Sequence, residues 1–255
     1  MWRFIVVLLL VISGCTRYAR PRSLESDPAI VLSRIEARRQ VLPTLAVDAR
    51  ASYYAPEGAR KGAVVLVVQR PAALRFEALS PTDDLVAILT SDGERFTQHE
   101  RGSDLCHTGP ACPRNIGRLL PLPLRGEDIV HVLLGGTPLI AHTAAEVGWD
   151  EDDGLAVLRL RGDGVEQEIG ADPCSWEVYR SEIRKGGDVV MSLTFDDWRP
   201  VGDARLPHVL QALMPAQDVD LKLVYRAVDP GVEVDAETFR YPCPAGTRPV
   251  ELPCE

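Results

Sequence analysis

The chain of 255 residues carries 28 Lys and Arg against 37 Asp and Glu, so 28 − 37 gives a formal charge of −9, and 45% of its residues are hydrophobic. That apolar share is enough for a globular core and excludes a disordered or coiled-coil chain. The acidic balance argues against a nucleic-acid partner, whose phosphates it would repel, and the length suits a single β-rich domain of about 200–250 residues.

At the N-terminus Arg3 precedes an apolar run over 4–12. Nine residues reach only about 14 Å as a helix, short of the ~30 Å hydrocarbon layer, so the run reads as a secretory signal and not as a span. Its end, Ile12-Ser13-Gly14-Cys15, resembles the lipobox of bacterial lipoproteins. The resemblance implies cleavage before Cys15, a diacylglycerol on its thiol and an acyl chain such as palmitate on its amine. Each buried CH₂ contributes ~0.8 kcal/mol, so two or three chains on one residue anchor a protein stably where a single one would not. Thr16 follows where such systems place Asp for inner-membrane retention, which implies the outer membrane, with the body facing the periplasm. The expected organisation is a signal peptide over 1–14, a polar, basic, lipidated tether over 15–26, and one domain over 27–255 with a Cys- and Pro-rich tail. The longest later unbroken apolar run, 63–68, is too short for a second crossing.

The domain opens with Asp27 as an N-cap and Pro28 as a first helical residue; Val31, Ile35 and Leu42 recur at helical spacing until Pro43. From Leu45 the period becomes two, and strands are expected over 45–54, 63–69, 74–77, 85–90 and 95–99. Gly58 and Gly62 flank the first turn and Asp92-Gly93 makes a tight hairpin, so the five read as an antiparallel meander. In the middle, Asn115 caps a short helix over Ile116, Leu119 and Leu120. A second helix runs from Gly126 through Ile129, Val132 and Leu133 to Gly135-Gly136, with Pro121 and Pro123 separating the two. Strands resume over 139–147, 155–160, 165–169, 176–183, 189–195, 208–213 and 219–228, with Asp163-Gly164 and Gly186-Gly187 as hairpin turns. The expected fold is α+β: a strongly curved antiparallel sheet of about a dozen strands wrapping a few helices.

Export fits the cysteines, because Cys106, Cys112, Cys174, Cys243 and Cys254 remain for an oxidising compartment. Local pairs, Cys106 with Cys112 and Cys243 with Cys254, each close a short loop containing Pro and Gly, leaving Cys174 single. A zinc site of Cys106 and His107 is the alternative, but no close-spaced Cys pair recurs to complete it.

The opening helix, the hairpins, the Leu119-Leu120-Pro121-Leu122-Pro123-Leu124 segment before a helix ending in Leu134-Gly135, and the later order of Phe195-Asp196-Asp197-Trp198, Gly202, Leu206-Pro207, Phe239, Pro242, Pro244 and Gly246 resemble the LolA/LolB superfamily of lipoprotein carriers and receptors. The resemblance implies a half-open barrel with helices as a lid over an apolar cavity for acyl chains. Apolar strand alternates Val47, Leu66, Val68, Phe76, Leu193, Phe195, Leu221 and Leu223 are the candidate lining. A sixteen-carbon chain buried there would contribute on the order of 12 kcal/mol at ~0.8 per CH₂. A filled core made of the same residues is the alternative, and periodicity does not separate the two. The turn Thr82-Asp83-Asp84 departs from the protruding apolar loop of the family's membrane receptor, because an acidic tip inserts poorly into lipid.

Catalytic signatures are not found. There is no Gly-x-Ser-x-Gly, no His-Glu-x-x-His and no P-loop Lys; the run Asp150-Glu151-Asp152-Asp153-Gly154 lacks calcium-loop spacing. Adjacent Asp196 and Asp197 would point to opposite strand faces, and His131 reads as a core histidine. The expectation is a non-enzymatic envelope lipoprotein without metal or cofactor that binds lipid or lipoprotein acyl chains. The other class is an envelope scaffold or adaptor with a filled barrel and a protein partner.

Overall fold

The computed structural model describes residues 17–37, 42–120 and 122–254. The signal segment, the lipobox and Cys15 lie outside the described residues.

Helix α1 (Pro28–Ala37) begins where the sequence places it, with Asp27 Oδ1 accepting from the Ala29 amide at 2.9 Å and with Val31 and Ile35 buried. The chain then builds one sheet of fourteen strands. In chain order they are β1 (Thr44–Ala55), β2 (Gly58–Gln69), β3 (Ala73–Leu79), β4 (Leu85–Ser91), β5 (Arg95–Glu100) and β6 (Leu105–Pro110) in the first half. After helices α2 (Pro113–Ile116) and α3 (Gly126–Leu133) come β7 (Ala144–Asp150), β8 (Leu155–Gly162), β9 (Val165–Ala171), β10 (Val178–Lys185), β11 (Asp188–Val201), β12 (Ala204–Met214), β13 (Val219–Pro230) and β14 (Arg248–Glu251). Their order across the sheet is β14-β6-β5-β4-β3-β2-β1-β13-β12-β11-β10-β9-β8-β7. The N-terminal meander and the C-terminal meander are thus joined where β1 pairs with β13, Leu45 opposite Pro230 and Tyr54 opposite Asp220. This is the curved, mostly antiparallel sheet expected from the alternation, in the half-open barrel form that the resemblance implies.

The twelve anticipated strands all occur, with shifted ends. β2 runs through Gly62, and the β1–β2 turn closes at Ala55 opposite Gly58. Residues 139–143 are not strand, because the Gln167 side chain takes over the role of a neighbour: its Oε1 accepts from the Ile140 amide at 3.0 Å and its Nε2 donates to the Pro138 carbonyl at 2.8 Å. Two strands were not anticipated, β6 and β14. They pair with each other in parallel, Arg248 opposite Leu105 and Glu251 opposite Thr108, the one departure from antiparallel pairing among the described residues.

The cysteine pairing is corrected. Cys106 bonds Cys243, and Cys112 bonds Cys254, with Cα separations of 5.7 and 6.0 Å; Cys174 is free and exposed. Local pairs are excluded by geometry, since the extended remainder of β6 separates Cys106 from Cys112 and β14 separates Cys243 from Cys254. At ~3.3 Å per residue each local pair would stand well beyond the ~7 Å a disulfide spans. The parallel β6–β14 register instead carries Cys254 to Cys112, while the turn closed by the Thr247 amide on the Pro244 carbonyl brings Cys243 back to Cys106. With Cys106 in a disulfide, the zinc reading has lost its thiolate.

Alternation turns one face of every central strand inward: Leu45, Val47 and Ala49 on β1, Val64, Leu66 and Val68 on β2, Met191, Leu193 and Phe195 on β11, and Leu221, Leu223 and Tyr225 on β13 are buried. Helix α3 lies in this concavity with Ile129, Val130, Val132 and Leu133 buried. Its last turn is held by Tyr225, whose hydroxyl donates to the Leu133 carbonyl at 2.8 Å. His131 is buried on the same helix, packed so close to Gly136 that a Cβ there would overlap the imidazole. Asn115 is inside α2 rather than capping it; its amide donates to the carbonyls of Pro110 and Leu252, tying the helix to the tail.

Candidate functional site

The strand registers put the β1–β2, β3–β4, β8–β9, β10–β11 and β12–β13 turns at one end of the sheet and the β2–β3, β7–β8, β9–β10 and β11–β12 turns at the other. The concave groove opens at the first of these ends. A cleft of about 530 Å³ lies there, within the ~300–1,000 Å³ of small-ligand sites. Its walls are the inward residues of β1 to β4, among them Tyr53, Phe76, Ala78 and Ala87, together with Leu119 and Leu120 of the connection between α2 and α3 and Leu221 of β13. A second opening of about 450 Å³ is lined by Leu122, Pro123, Met214 and Val219 and shares Gly117 with the first. The α2–α3 connection thus stands in the mouth of the barrel with apolar space on both sides. Its Pro-interrupted sequence explains this, because prolines forbid a helix while the leucines still seek burial, and Leu120 and Leu122 are buried.

Deeper in, the groove is filled. Leu193, Phe195, Leu221 and Leu223 surround a void of about 20 Å³, room for roughly one water, against Leu122, Val132 and Leu133. Of the eight lining candidates, Phe76 and Leu221 reach the open cleft, Leu193, Phe195 and Leu223 border only this small void, and Val47, Leu66 and Val68 line neither space although all three are buried.

Polar groups at the cleft were not singled out by the sequence. Arg118 donates from Nε to the Gln98 side-chain oxygen Oε1 at 2.8 Å, and Gln98, itself 2% exposed, donates from Nε2 to Glu100 at 3.2 Å. The Tyr53 hydroxyl donates to Glu57 at 2.9 Å, and burial followed by that carboxylate pushes the phenol upward. A signal for the first group was present in β5, where Phe96, Gln98 and Glu100 share a face that turns inward, so two polar residues were due to meet the groove. Among the described residues no cluster of three or more His, Cys, Asp or Glu could hold a metal ion.

At the opposite end the chain entering the domain is fixed. The Tyr18 amide donates to the Glu151 carbonyl at 2.7 Å, Trp149 Nε1 donates to the Tyr18 carbonyl at 3.0 Å, and Arg17 pairs with Glu151 at 2.8 Å. The acidic run 150–154 is the β7–β8 hairpin turn, organised by Asp150 Oδ1 accepting from the amides of Asp152 and Asp153. No helix among the described residues is long and apolar enough to cross a membrane.

No family model matches the sequence, and no curated protein matches it. Solved structures do match the fold. A DUF1329 family protein from Desulfovibrio piger superposes with a TM-score of 0.60 at 10% identity over 84% of this chain and 96% of its own. A domain provisionally assigned to outer membrane lipoprotein sorting from Vibrio parahaemolyticus gives 0.55 at 10% identity, covering 82% and 94%. A LolA superfamily protein from Nitrosomonas europaea gives 0.53 at 8% identity, covering 84% and 97%. The chain therefore has the LolA-like fold that its order of helices and hairpins resembles.

Proposed function

We propose that this chain is a non-enzymatic lipoprotein of the bacterial envelope, anchored in the outer membrane through Cys15, that binds the acyl chains of lipids or other lipoproteins and takes part in their trafficking. The observation that carries the reading is the apolar cleft of about 530 Å³ in the mouth of a LolA-like half-open barrel, lined by Phe76, Leu119, Leu120 and Leu221. Support for the envelope location comes from the lipobox-like Ile12-Ser13-Gly14-Cys15 and from two disulfides, which persist in oxidising compartments. The resemblance implies helices as a lid over such a cavity; here the α2–α3 connection stands in the mouth, with openings on both its sides.

The test is native mass spectrometry of the mature chain exported to the periplasm, beside titration with a fluorescent fatty acid. Expected are a lipid-sized mass lost on unfolding and saturable uptake. Folded protein that neither carries such a mass nor takes up the dye overturns the proposal. The filled inner groove favours a second reading, an envelope adaptor whose barrel is structural, and β7 at the sheet edge offers a strand for a partner to extend.

A further inference from the structure

The mouth of the cleft is not neutral. Arg60, Lys61 and Arg118 line it against Glu57 and Glu100, an excess of cations on a chain whose overall charge is −9. Both carboxylates already have donors, Glu57 from the Tyr53 hydroxyl and Glu100 from the Gln98 amide. Lys61 is turned over the Tyr54 ring at 5.2 Å, whereas Arg60 stands opposite Tyr53 in the β1–β2 register, on the inward face. Arg118 is positioned by a buried neighbour: its Nε donates a hydrogen bond to Gln98 Oε1, and among the described residues Arg118 has no carboxylate partner. A guanidinium held by Nε keeps its two terminal nitrogens for an anion, and an apolar wall beside it strengthens the attraction by excluding water.

We infer that the cleft selects amphiphiles with an anionic head, a carboxylate or a phosphate, the acyl chain lying on Phe76, Leu119, Leu120 and Leu221 and the head meeting Arg118 and Arg60. The inference rests on the acyl-binding reading above and adds the chemistry of the head. A neutral ester of the same chain keeps the apolar contact and loses the charge-assisted hydrogen bonds, which for a partly exposed pair is worth on the order of tenfold in affinity.

The experiment titrates the mature chain with cis-parinaric acid and with its methyl ester, in the native protein and in Arg118→Gln. Arg118 is exposed, so the variant folds; circular dichroism checks this. Expected is an acid preference of about tenfold that shrinks as salt is raised and collapses in Arg118→Gln, with ester binding unchanged. Equal binding of acid and ester by the native protein overturns the inference and leaves acyl binding standing; saturable binding of neither overturns both. An acid preference that survives in both Arg118→Gln and Arg60→Gln also overturns it. Competition by a lysophosphatidate tells a phosphate head from a carboxylate, and effective competition supports the inference as the acid preference does.

Discussion

Trp149 Nε1 and the Tyr18 carbonyl oxygen lie 3.0 Å apart, and this bond fixes the entering chain to the β7–β8 hairpin at the end of the sheet opposite the cleft. Cys15 is three residues before Tyr18, at most about 11 Å of extended chain. An acylated Cys15 would therefore hold the β7–β8 end toward its membrane and turn the mouth of the barrel toward the aqueous compartment.

The docking depends on Gly154, whose φ of +71° closes the hairpin and whose missing Cβ leaves room for the Tyr18 ring; an added Cβ would lie 2.8 Å from Tyr18 Cγ. Gly154→Ala or Trp149→Phe should release the segment over 17–22. Trypsin should then cut after Arg17 and Arg22, the Arg20-Pro21 bond being resistant, several-fold faster than in the native protein, with the global urea midpoint little changed.

Tyr225→Phe removes the donor to the Leu133 carbonyl at the end of α3 inside the core. Burial pushes this phenol far upward, so it remains a neutral donor through the alkaline range. Leaving the carbonyl unpaired should cost about 1–3 kcal/mol, measured by urea unfolding, with no change in the slope.

The two disulfides join residues 137 and 142 positions apart, so each closes a long loop in the unfolded chain. Chain-entropy scaling gives about 5 kcal/mol for a loop of that length, and because the two loops overlap, with one bond in place the other closes a loop of only about 17 residues and contributes about 3 kcal/mol. Cys243→Ser alone should therefore be destabilising by about 3 kcal/mol, whereas Cys243→Ser with Cys254→Ser should lose about 8. Denaturant unfolding of the single and double variants measures this.

Arg180 sits between Asp150 and Glu168, 2.7 Å from each, and Arg159 adds a bond to Glu168 at 2.8 Å. Burial pushes Glu168 up, but the hydrogen bonds and charges of Arg180 and Arg159 outweigh it and hold the carboxyl below its ordinary range; Asp150 is lowered likewise against its own burial by the Asp153 and Asp152 amides and Arg180. A depressed folded pKa means stability that is complete above the ordinary carboxylate values of about 4 and is lost as pH falls through the lower folded ones. Urea midpoints should fall between pH 5 and about pH 2, and Arg180→Met should flatten part of that fall.

Local periodicity carried most of the secondary structure. Alternation in 45–54 or 219–228 requires a strand with one buried face wherever its partner lies, and Asp27-Pro28 and the Gly-containing turns mark ends by their own backbone preferences. By the same means Phe76 and Leu221 were legible as inward residues, and a LolA-like order of elements followed. Tertiary structure alone decided three things. The parallel β6–β14 pairing and the crossed disulfides join segments about 140 residues apart, and neither β6 nor β14 alternates strongly enough to announce itself. The loss of 139–143 from the sheet depended on one distant side chain, Gln167. Whether inward residues meet one another or leave space depended on where the α2–α3 connection settled: Leu193, Phe195 and Leu223 met α3 and closed the groove, while Phe76 and Leu221 reached an open mouth. Period tells which face is apolar; only the packing of a non-periodic segment against that face determines how much of it stays uncovered.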